Sequence, residues 1–503
     1  MRQLYPWREL TSDFQPTSRQ LPDLATRLNR MSTPPATQLK LTEPNKKVRI
    51  GERKQVRVKR AQDIIEILAW SIVMAVLVMF LIDGGLKGVT DLPTALGAIS
   101  RLTSLLGTAL LLILMLLIAR VPWIDKFYGH DGATVVHKRL GKPVLYFIVA
   151  HFLASLVQYS INNGKDLVTT FWWFVFDVQD MLLATIGLIL MIVVVVTSIN
   201  FARRRMSYEA WFYVHLVSYV SVAVAVPHMF SSGSDIAGKP VQTVIWVSLY
   251  LFVFLNILWF RVIIPIRKSF RKRLVLAQSV PESSDTTSLY LTGKHLQKIE
   301  AVSGQFYFLR FLTPTQWWRP HPFSISAAPN GEYLRFTIGD RGDDTKLMQN
   351  IKPGTPVAIE GPYGLFTEER RTKEKVVLIA SGIGIPPIRT LAESMAARPG
   401  DITIIYRVRS YEDAALLSEI EQVARHRGFR LHVLSGKRGS ANSWLPGHLN
   451  DVPDHARLIE MNPFVSESDV YICGPGPWTH AVEKSLKRVG TPANQIHAEE
   501  FAW

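Results

Sequence analysis

Six long apolar segments constrain this chain more than any other feature. Residues 64–82, 102–119, 143–160, 181–199, 211–229 and 241–264 carry almost no charge. Each is about 18–24 residues long, enough for an α-helix to cross a hydrocarbon core of about 30 Å. One such segment suits the buried helix of a soluble protein. Six in series with charged connectors describe a membrane bundle. The connectors orient it: residues 40–60, 120–142, 203–205 and 261–273 hold 23 Lys and Arg, whereas the opposite side has only Lys87, Arg101, Lys165 and Lys239. The positive-inside rule then puts both termini in the cytosol, as expected for a multi-pass protein of the cell membrane.

The formal charge of +16, from 57 Lys and Arg against 41 Asp and Glu, would in a soluble protein suggest nucleic acid as partner. Its distribution argues otherwise. Residues 1–61 carry +9, residues 62–273 carry +7, and residues 274–503 are neutral. The excess is an orientation signal that also attracts anionic lipid head groups. Residues 1–61, rich in Pro, Ser, Thr and Gln, read as a disordered cytosolic tail rather than a signal peptide. They lack the aromatic interleaving and helical reading motif of a nucleic-acid binder. The single cysteine, Cys473, excludes intrachain disulfides, a cysteine-ligated iron–sulfur cluster, a zinc ribbon and covalent c-type haem.

Beyond residue 273 the pattern changes. Short β-branched and aromatic runs (Arg273–Leu276, Phe306–Phe311, Tyr333–Ile338, Pro356–Ile359) separated by Gly and Pro turns predict a small antiparallel barrel. From about residue 375, strands at Val376–Ala380, Ile402–Arg407, Arg430–Leu434 and Val470–Cys473 alternate with helical stretches near 386–397, 412–427 and 477–489. That alternation predicts a doubly wound parallel α/β sheet. The expected architecture is a tail (1–61), a six-helix transmembrane domain (62–266), an antiparallel barrel (270–372) and a doubly wound α/β domain (373–503).

Histidine is costly in hydrocarbon unless partnered, so intramembrane histidines point to function. His137 and His151 lie 14 residues apart on the third segment, and His215 and His228 lie 13 apart on the fifth. At a rise of about 1.5 Å per residue each pair spans roughly 20 Å, and the two helices run in the same direction. His137 can face His215 near the cytosol and His151 can face His228 near the outer side, giving the two stacked bis-imidazole sites of two b-type haems. Fourteen residues return to within about 40° of the same helix face but thirteen land about 140° away, with Pro227 adjacent. A zinc or copper ion fits less well, because histidines so far apart on one helix cannot share it.

In the barrel, Arg319-Pro320-His321-Pro322-Phe323-Ser324 offers a Pro-bounded strand with a ring and a hydroxyl, suited to a flavin, with Ser324 nearest the reactive nitrogen. Gly342-Asp343-Asp344-Thr345 offers backbone N–H groups and a hydroxyl to a pyrophosphate. In the α/β region an apolar strand runs into Gly382-Ile383-Gly384 and a helix opening with Pro386, the strand–turn–helix context of a dinucleotide phosphate site. Arg407 and Arg409 end the next strand. They read either as ligands of an adenosine 2′-phosphate, favouring NADPH over NADH, or as a solvated basic strand end. Cys473-Gly474-Pro475 ends a later strand at the edge where such sheets bind ligands; a small buried thiol is the plainer reading of Cys473.

In this order the pieces resemble the ferric reductase and NADPH oxidase superfamily, joined to a ferredoxin–NADP reductase-like module, over residues 62–503. The resemblance rests on His137-Lys138-Arg139-Leu140-Gly141, His151, Tyr208-Glu209-Ala210-Trp211-Phe212, His215 and His228 in the membrane part. In the cytosolic part it rests on His321–Ser324, Gly361-Pro362-Tyr363-Gly364, the Gly382–Pro387 turn, Cys473-Gly474-Pro475 and Glu500-Phe501-Ala502-Trp503. It implies that His321, Pro322, Phe323, Ser324, Gly361, Tyr363 and Gly364 bind FAD, beside the pyrophosphate candidates Gly342 and Thr345 read above. It implies that Gly382, Gly384, Pro386, Cys473, Gly474 and Pro475 hold the nicotinamide dinucleotide. Ser324, Cys473 and Trp503 would flank the hydride transfer, with Trp503 stacking on the flavin until nicotinamide displaces it. Two positions depart from the pattern: Gly339 replaces a common basic residue, for which Arg341 can substitute, and Pro386 replaces a common Thr.

The function this implies is electron transfer from cytosolic NADPH through FAD and two haems to an acceptor on the outer face. That acceptor is a ferric chelate, a quinone or a protein. The rivals are a superoxide-producing NADPH oxidase, which uses the same cofactor chain, and a non-enzymatic membrane haem-binding protein.

Overall fold

The computed structural model describes residues 52–203, 205–299 and 301–501. One compact unit comprises Lys59–Val262, and the other contains the chain from Ile263 on.

Six helices of the first unit are long and apolar enough to cross a membrane. They are α1 (Glu52–Ile82), α2 (Leu92–Leu117), α3 (Pro122–Asn163), α5 (Met181–Ser198), α6 (Tyr208–Ser231) and α7 (Pro240–Asn256), the last continuing through a π-helical stretch (Ile257–Ile263) so that the sixth span runs Pro240–Lys272, with the shorter apolar α4 (Leu167–Asp177) between α3 and α5. Residues 52–61, read from sequence as the end of a tail, are instead the first turns of α1. Helix α3 is broken at Gly129, which takes φ +71°. Large side chains such as Trp70, Ile189 and Leu251 point outward, the reverse of a soluble bundle, and give the unit a lipid-facing surface.

Within the bundle α2 packs along α3 and α5 along α6. In lipid, close packing replaces the hydrophobic effect as the force between helices, and small residues permit it. A Cβ on Gly187 of α5 would stand 2.8 Å from the carbonyl oxygen of Ser221 on α6. The Ser221 hydroxyl in turn donates to the Gly187 carbonyl at 2.7 Å. Gly107 gives α2 the same access to Phe147 and Ile148 of α3.

The second unit opens with α8 (Ile264–Lys272), whose Lys268 donates to the Gly361 carbonyl at 2.9 Å. An antiparallel sheet follows: β1 (Leu274–Pro281), β2 (Thr286–Thr292), β3 (Phe306–Phe311), β4 (His321–Ser324), β5 (Leu334–Gly339) and β6 (Pro356–Tyr363), with α9 (Asp343–Gln349) after β5. Their order is β4-β3-β6-β1-β2-β5, and a bridge between Ile325 and Phe336 joins the two edges into a barrel. Leu276, Leu289, Leu309, Phe311 and Phe336 fill it.

The remaining strands, β7 (Val376–Ser381), β8 (Ile402–Val408), β9 (Arg430–Ser435), β10 (Asp469–Pro475) and β11 (Ile496–Phe501), form a parallel sheet in the order β11-β10-β7-β8-β9. Side chains alternate between its faces. Leu378, Ala380, Ile404 and Tyr406 pack on α10 (Ile385–Ser394) and α11 (Leu417–Arg427). Val377, Ile379, Ile405 and Ile472 pack on α12 (Asp454–Met461) and α13 (Gly476–Arg488). The winding direction reverses between β7 and β10, and at such a switch point the strand ends open a crevice for ligands. The architecture is therefore the one expected: a six-helix bundle, an antiparallel barrel and a doubly wound α/β domain.

Candidate functional site

Three of the four membrane histidines bond a main-chain carbonyl through Nδ1, and the fourth, His215, meets a side-chain hydroxyl. His137 donates from Nδ1 to the Leu114 carbonyl at 3.1 Å. His151 does so to the Ser100 carbonyl at 3.0 Å, with the Ser100 hydroxyl at 2.9 Å. His228 bonds the Ala225 carbonyl, and His215 meets the Ser198 hydroxyl at 3.3 Å. A carbonyl oxygen only accepts, so Nδ1 carries the proton and the Nε2 lone pair is left for a metal. The rings of His137 and His215 lie 6.0 Å apart between centroids. Two imidazoles bound to one metal from opposite sides, at about 2 Å each, require a separation near this value. Among the described residues no group of three or more His, Cys, Asp or Glu is arranged to hold a metal ion. A haem needs only two axial ligands, and these residues fit it.

The second cluster lies where the barrel meets the parallel sheet. The run Val376–Ser381 ends at Gly382, φ +50°, with nothing within 4 Å of where a Cβ would stand. Gly384 has the opposite constraint: its Cβ would fall 2.1 Å from the Cys473 carbonyl oxygen. The turn is thus pressed against β10 on one side and open on the other, a cradle that fits a dinucleotide phosphate at the start of α10. Pro386 is buried in the first turn of that helix, where its missing N–H costs nothing. Gly474 is equally close-packed, its Cβ position 2.7 Å from Trp478.

Cys473 is fully buried, and burial together with the nearby Glu499 carboxylate pushes its thiol well above the usual range. Glu499 pairs with Cys473 in the β10–β11 register. Across the domain boundary Ser324, 5% exposed, donates to Glu499 at 3.5 Å. Ser324, Cys473 and Glu499 therefore share one site. Sequence reading missed Glu499: it picked out the neighbouring Glu500, which instead pairs with His480 at 3.3 Å. The register of β11 against β10 is the signal that finds it.

The other expected positions divide. His321 and Phe323 stack at 6.3 Å, while Pro322 is exposed. Tyr363 donates to Glu360 at 3.2 Å and packs on Phe306 and Phe308. Gly361 and Gly364 take positive φ beside Tyr307 and Phe306. Rings and a loosely held hydroxyl on this barrel edge fit a flavin. Thr345 is committed locally, accepting from the Arg341 N–H at 2.8 Å and donating to the Gly342 carbonyl at 2.9 Å. Gly339 touches the nucleotide turn, its Cβ position 3.3 Å from the Ile383 side chain. Arg341 pairs with Asp285. Arg407 is buried and donates to the Val408 and Leu434 carbonyls; Arg409 is exposed. Pro475 precedes α13 and is exposed. Trp503 lies outside the described residues.

Three family models match in series: a ferric reductase like transmembrane component over residues 103–226, an FAD-binding domain over 275–367 and an oxidoreductase NAD-binding domain over 378–484. The chain has the domains of a multi-pass membrane oxidoreductase. Their order matches the ferric reductase and NADPH oxidase superfamily. Similar curated proteins include a flavohemoprotein of Burkholderia sp. (strain TH2), 30% identical over 238 residues, covering 46% of this chain and 59% of that protein. The glycine betaine monooxygenase reductase subunit of Pseudomonas aeruginosa is 28% identical over 190 residues, covering 36% of this chain and 50% of that one. The chain thus spans less than two thirds of either relative. Among solved structures, the flavohem-like FAD/NAD binding domain of nitric oxide dioxygenase from Vibrio cholerae is 23% identical, covering 45% of this chain and 97% of that one with a TM-score of 0.37.

Proposed function

We propose that the protein takes electrons from cytosolic NADPH, with NADH the alternative, and delivers them across the cell membrane to an acceptor on the outer face. Bound FAD and two b-type haems supply the redox chemistry, converting a hydride donor into single-electron transfers. His137 and His215 would hold one haem and His151 and His228 the other, with both termini in the cytosol. The observation that carries this reading is the set of Nδ1 bonds to main-chain carbonyls, which leaves Nε2 of His137, His151 and His228 available to a metal.

In the cytosolic module, Ser324 turns its hydroxyl from Glu499 to the flavin ring at the barrel edge when FAD binds. His321, Pro322, Phe323, Gly361, Tyr363 and Gly364 form the flavin's wall, and Gly342 and Thr345 shape the loop beside it. Gly382, Gly384 and Pro386 seat the dinucleotide phosphate, Arg409 faces an adenosine 2′-phosphate, and Gly474 and Pro475 close the floor. Cys473 meets the nicotinamide as a neutral thiol, and Glu499 orients Ser324. Trp503 covers the flavin when no nucleotide is bound.

The test is to add NADPH to the purified protein without air and record the haem spectrum. The proposal expects reduction, and no haem reduction would overturn it. Admitting oxygen or a ferric chelate then separates the acceptors. Reoxidation by the chelate alone identifies a ferric reductase, whereas reoxidation by oxygen with superoxide formed identifies an oxidase.

A further inference from the structure

His215 differs from the other three histidines in what holds it. Their Nδ1 partners include main-chain carbonyls, whereas its partner is a side chain, Ser198 at the end of α5. A serine hydroxyl can give its proton or receive one, so on its own it leaves the imidazole tautomer open. Two further bonds close that choice. Ser198 donates its only proton to the Val194 carbonyl at 2.7 Å. The Trp211 indole N–H donates to the Ser198 oxygen at 3.2 Å. With its proton spent, the hydroxyl oxygen can only accept from His215, so Nδ1 carries the hydrogen and Nε2 is bare. Trp211 acts a second time: one turn before His215 on α6, it stacks on that imidazole at 5.1 Å with 26° between planes. Arg203 lies over the same indole at 4.8 Å.

We propose that Ser198 and Trp211 are positioning residues that fix the tautomer and ring plane of His215, and so tune the cytosolic-side haem separately from the outer one. This rests on reading His215 as an axial ligand. A hydroxyl accepting from Nδ1–H raises the basicity of the imidazole and favours the ferric state. Removing it should raise the midpoint potential of one haem and leave the other unchanged. Losing the hydrogen-bond partner of a ligating histidine weakens metal retention by roughly 10–100-fold.

The test uses the full-length protein, mediators and dithionite, without NADPH. Redox titration of the haem absorbance is run on wild type, Ser198→Ala and Ser198→Thr, with haem loss to apomyoglobin followed in parallel. The expected result for Ser198→Ala is one component shifted to higher potential and lost about tenfold faster. That component is the one missing in His215→Leu, and Ser198→Thr restores it. Trp211→Phe keeps a ring on His215 but removes the indole donor, and should shift the same component by less. It serves as the test should Ser198→Ala fail to fold. Unchanged potentials and haem loss in the variants, with two haems in wild type, would overturn the roles of Ser198 and Trp211 alone. A wild type without bis-imidazole haem would overturn the ligand assignment as well.

Discussion

The hydroxyl of Ser324, on the edge strand of the barrel, donates to the carboxylate of Glu499, on the last strand of the parallel sheet, at 3.5 Å. One hydrogen bond thus joins the two domains between which a hydride would have to pass. Ser324→Ala removes the donor at the flavin edge, and roughly a 10²-fold loss of NADPH-driven dye reduction is expected. Bound FAD, counted by its absorbance, should stay near one per chain. An unchanged rate would remove Ser324 from the reaction.

A second tie between these domains is ionic. Arg335 of the barrel makes two bonds to Glu419 of α11, at 2.6 and 2.8 Å, and Arg389 of α10 reaches the same carboxylate at 2.8 Å. Burial pushes the Glu419 carboxyl up, but the two guanidinium groups outweigh it and hold it below its ordinary value of 4.5. Because the folded pKa is depressed, this stabilisation is full above the unfolded pKa and is lost as pH falls through the folded one. Glu419→Gln should cost about 3–5 kcal/mol, chiefly by leaving the buried Arg335 guanidinium without its carboxylate, while Arg389 keeps Glu393. It should also flatten the acid limb of the melting temperature against pH.

Burial raises the Cys473 thiol well above 9.0, aided by Glu499. The folded protein therefore keeps a proton that the unfolded chain releases, and this site's contribution to stability falls as pH rises past about 9. Iodoacetamide at pH 9 should leave Cys473 unmodified in the folded protein and alkylate it in denaturant. Rapid labelling of the folded protein would contradict this environment.

Arg407 and Arg409 should separate in mutagenesis. Arg409→Ala is expected to raise the KM for NADPH about tenfold with little effect on NADH, the signature of a lost 2′-phosphate contact. Arg407→Ala should instead lower the melting temperature, because its guanidinium bonds the carbonyls of two adjacent strands.

Much of this was legible in the sequence, and for identifiable reasons. Spans of about 20 apolar residues read directly as membrane helices, and β7 and β8 read as strands because both faces are buried and the runs are continuous. β2 (Thr-Thr-Ser-Leu-Tyr-Leu-Thr) and β11 (Ile-His-Ala-Glu-Glu-Phe) escaped detection. The first buries Thr286 and Ser288, the latter through a hydroxyl pair with Thr337, and the second is an edge strand with charged positions. Missing β11 meant missing Glu499, whose role depends on register. The histidine quartet was visible as spacing, but its Nδ1 partners are backbone carbonyls and one serine that no motif announces. Arg407 looked like a ligand because sequence does not reveal which of two neighbouring arginines turns inward.

The central claim is that two separate histidine pairs each hold a haem. Pyridine haemochrome analysis of the purified protein and of His151→Leu tests it most directly. The account predicts two haems per chain in the wild type and one in the variant, with NADPH still reducing soluble dyes at the flavin in both. Two haems retained in His151→Leu, or none in the wild type, would contradict it.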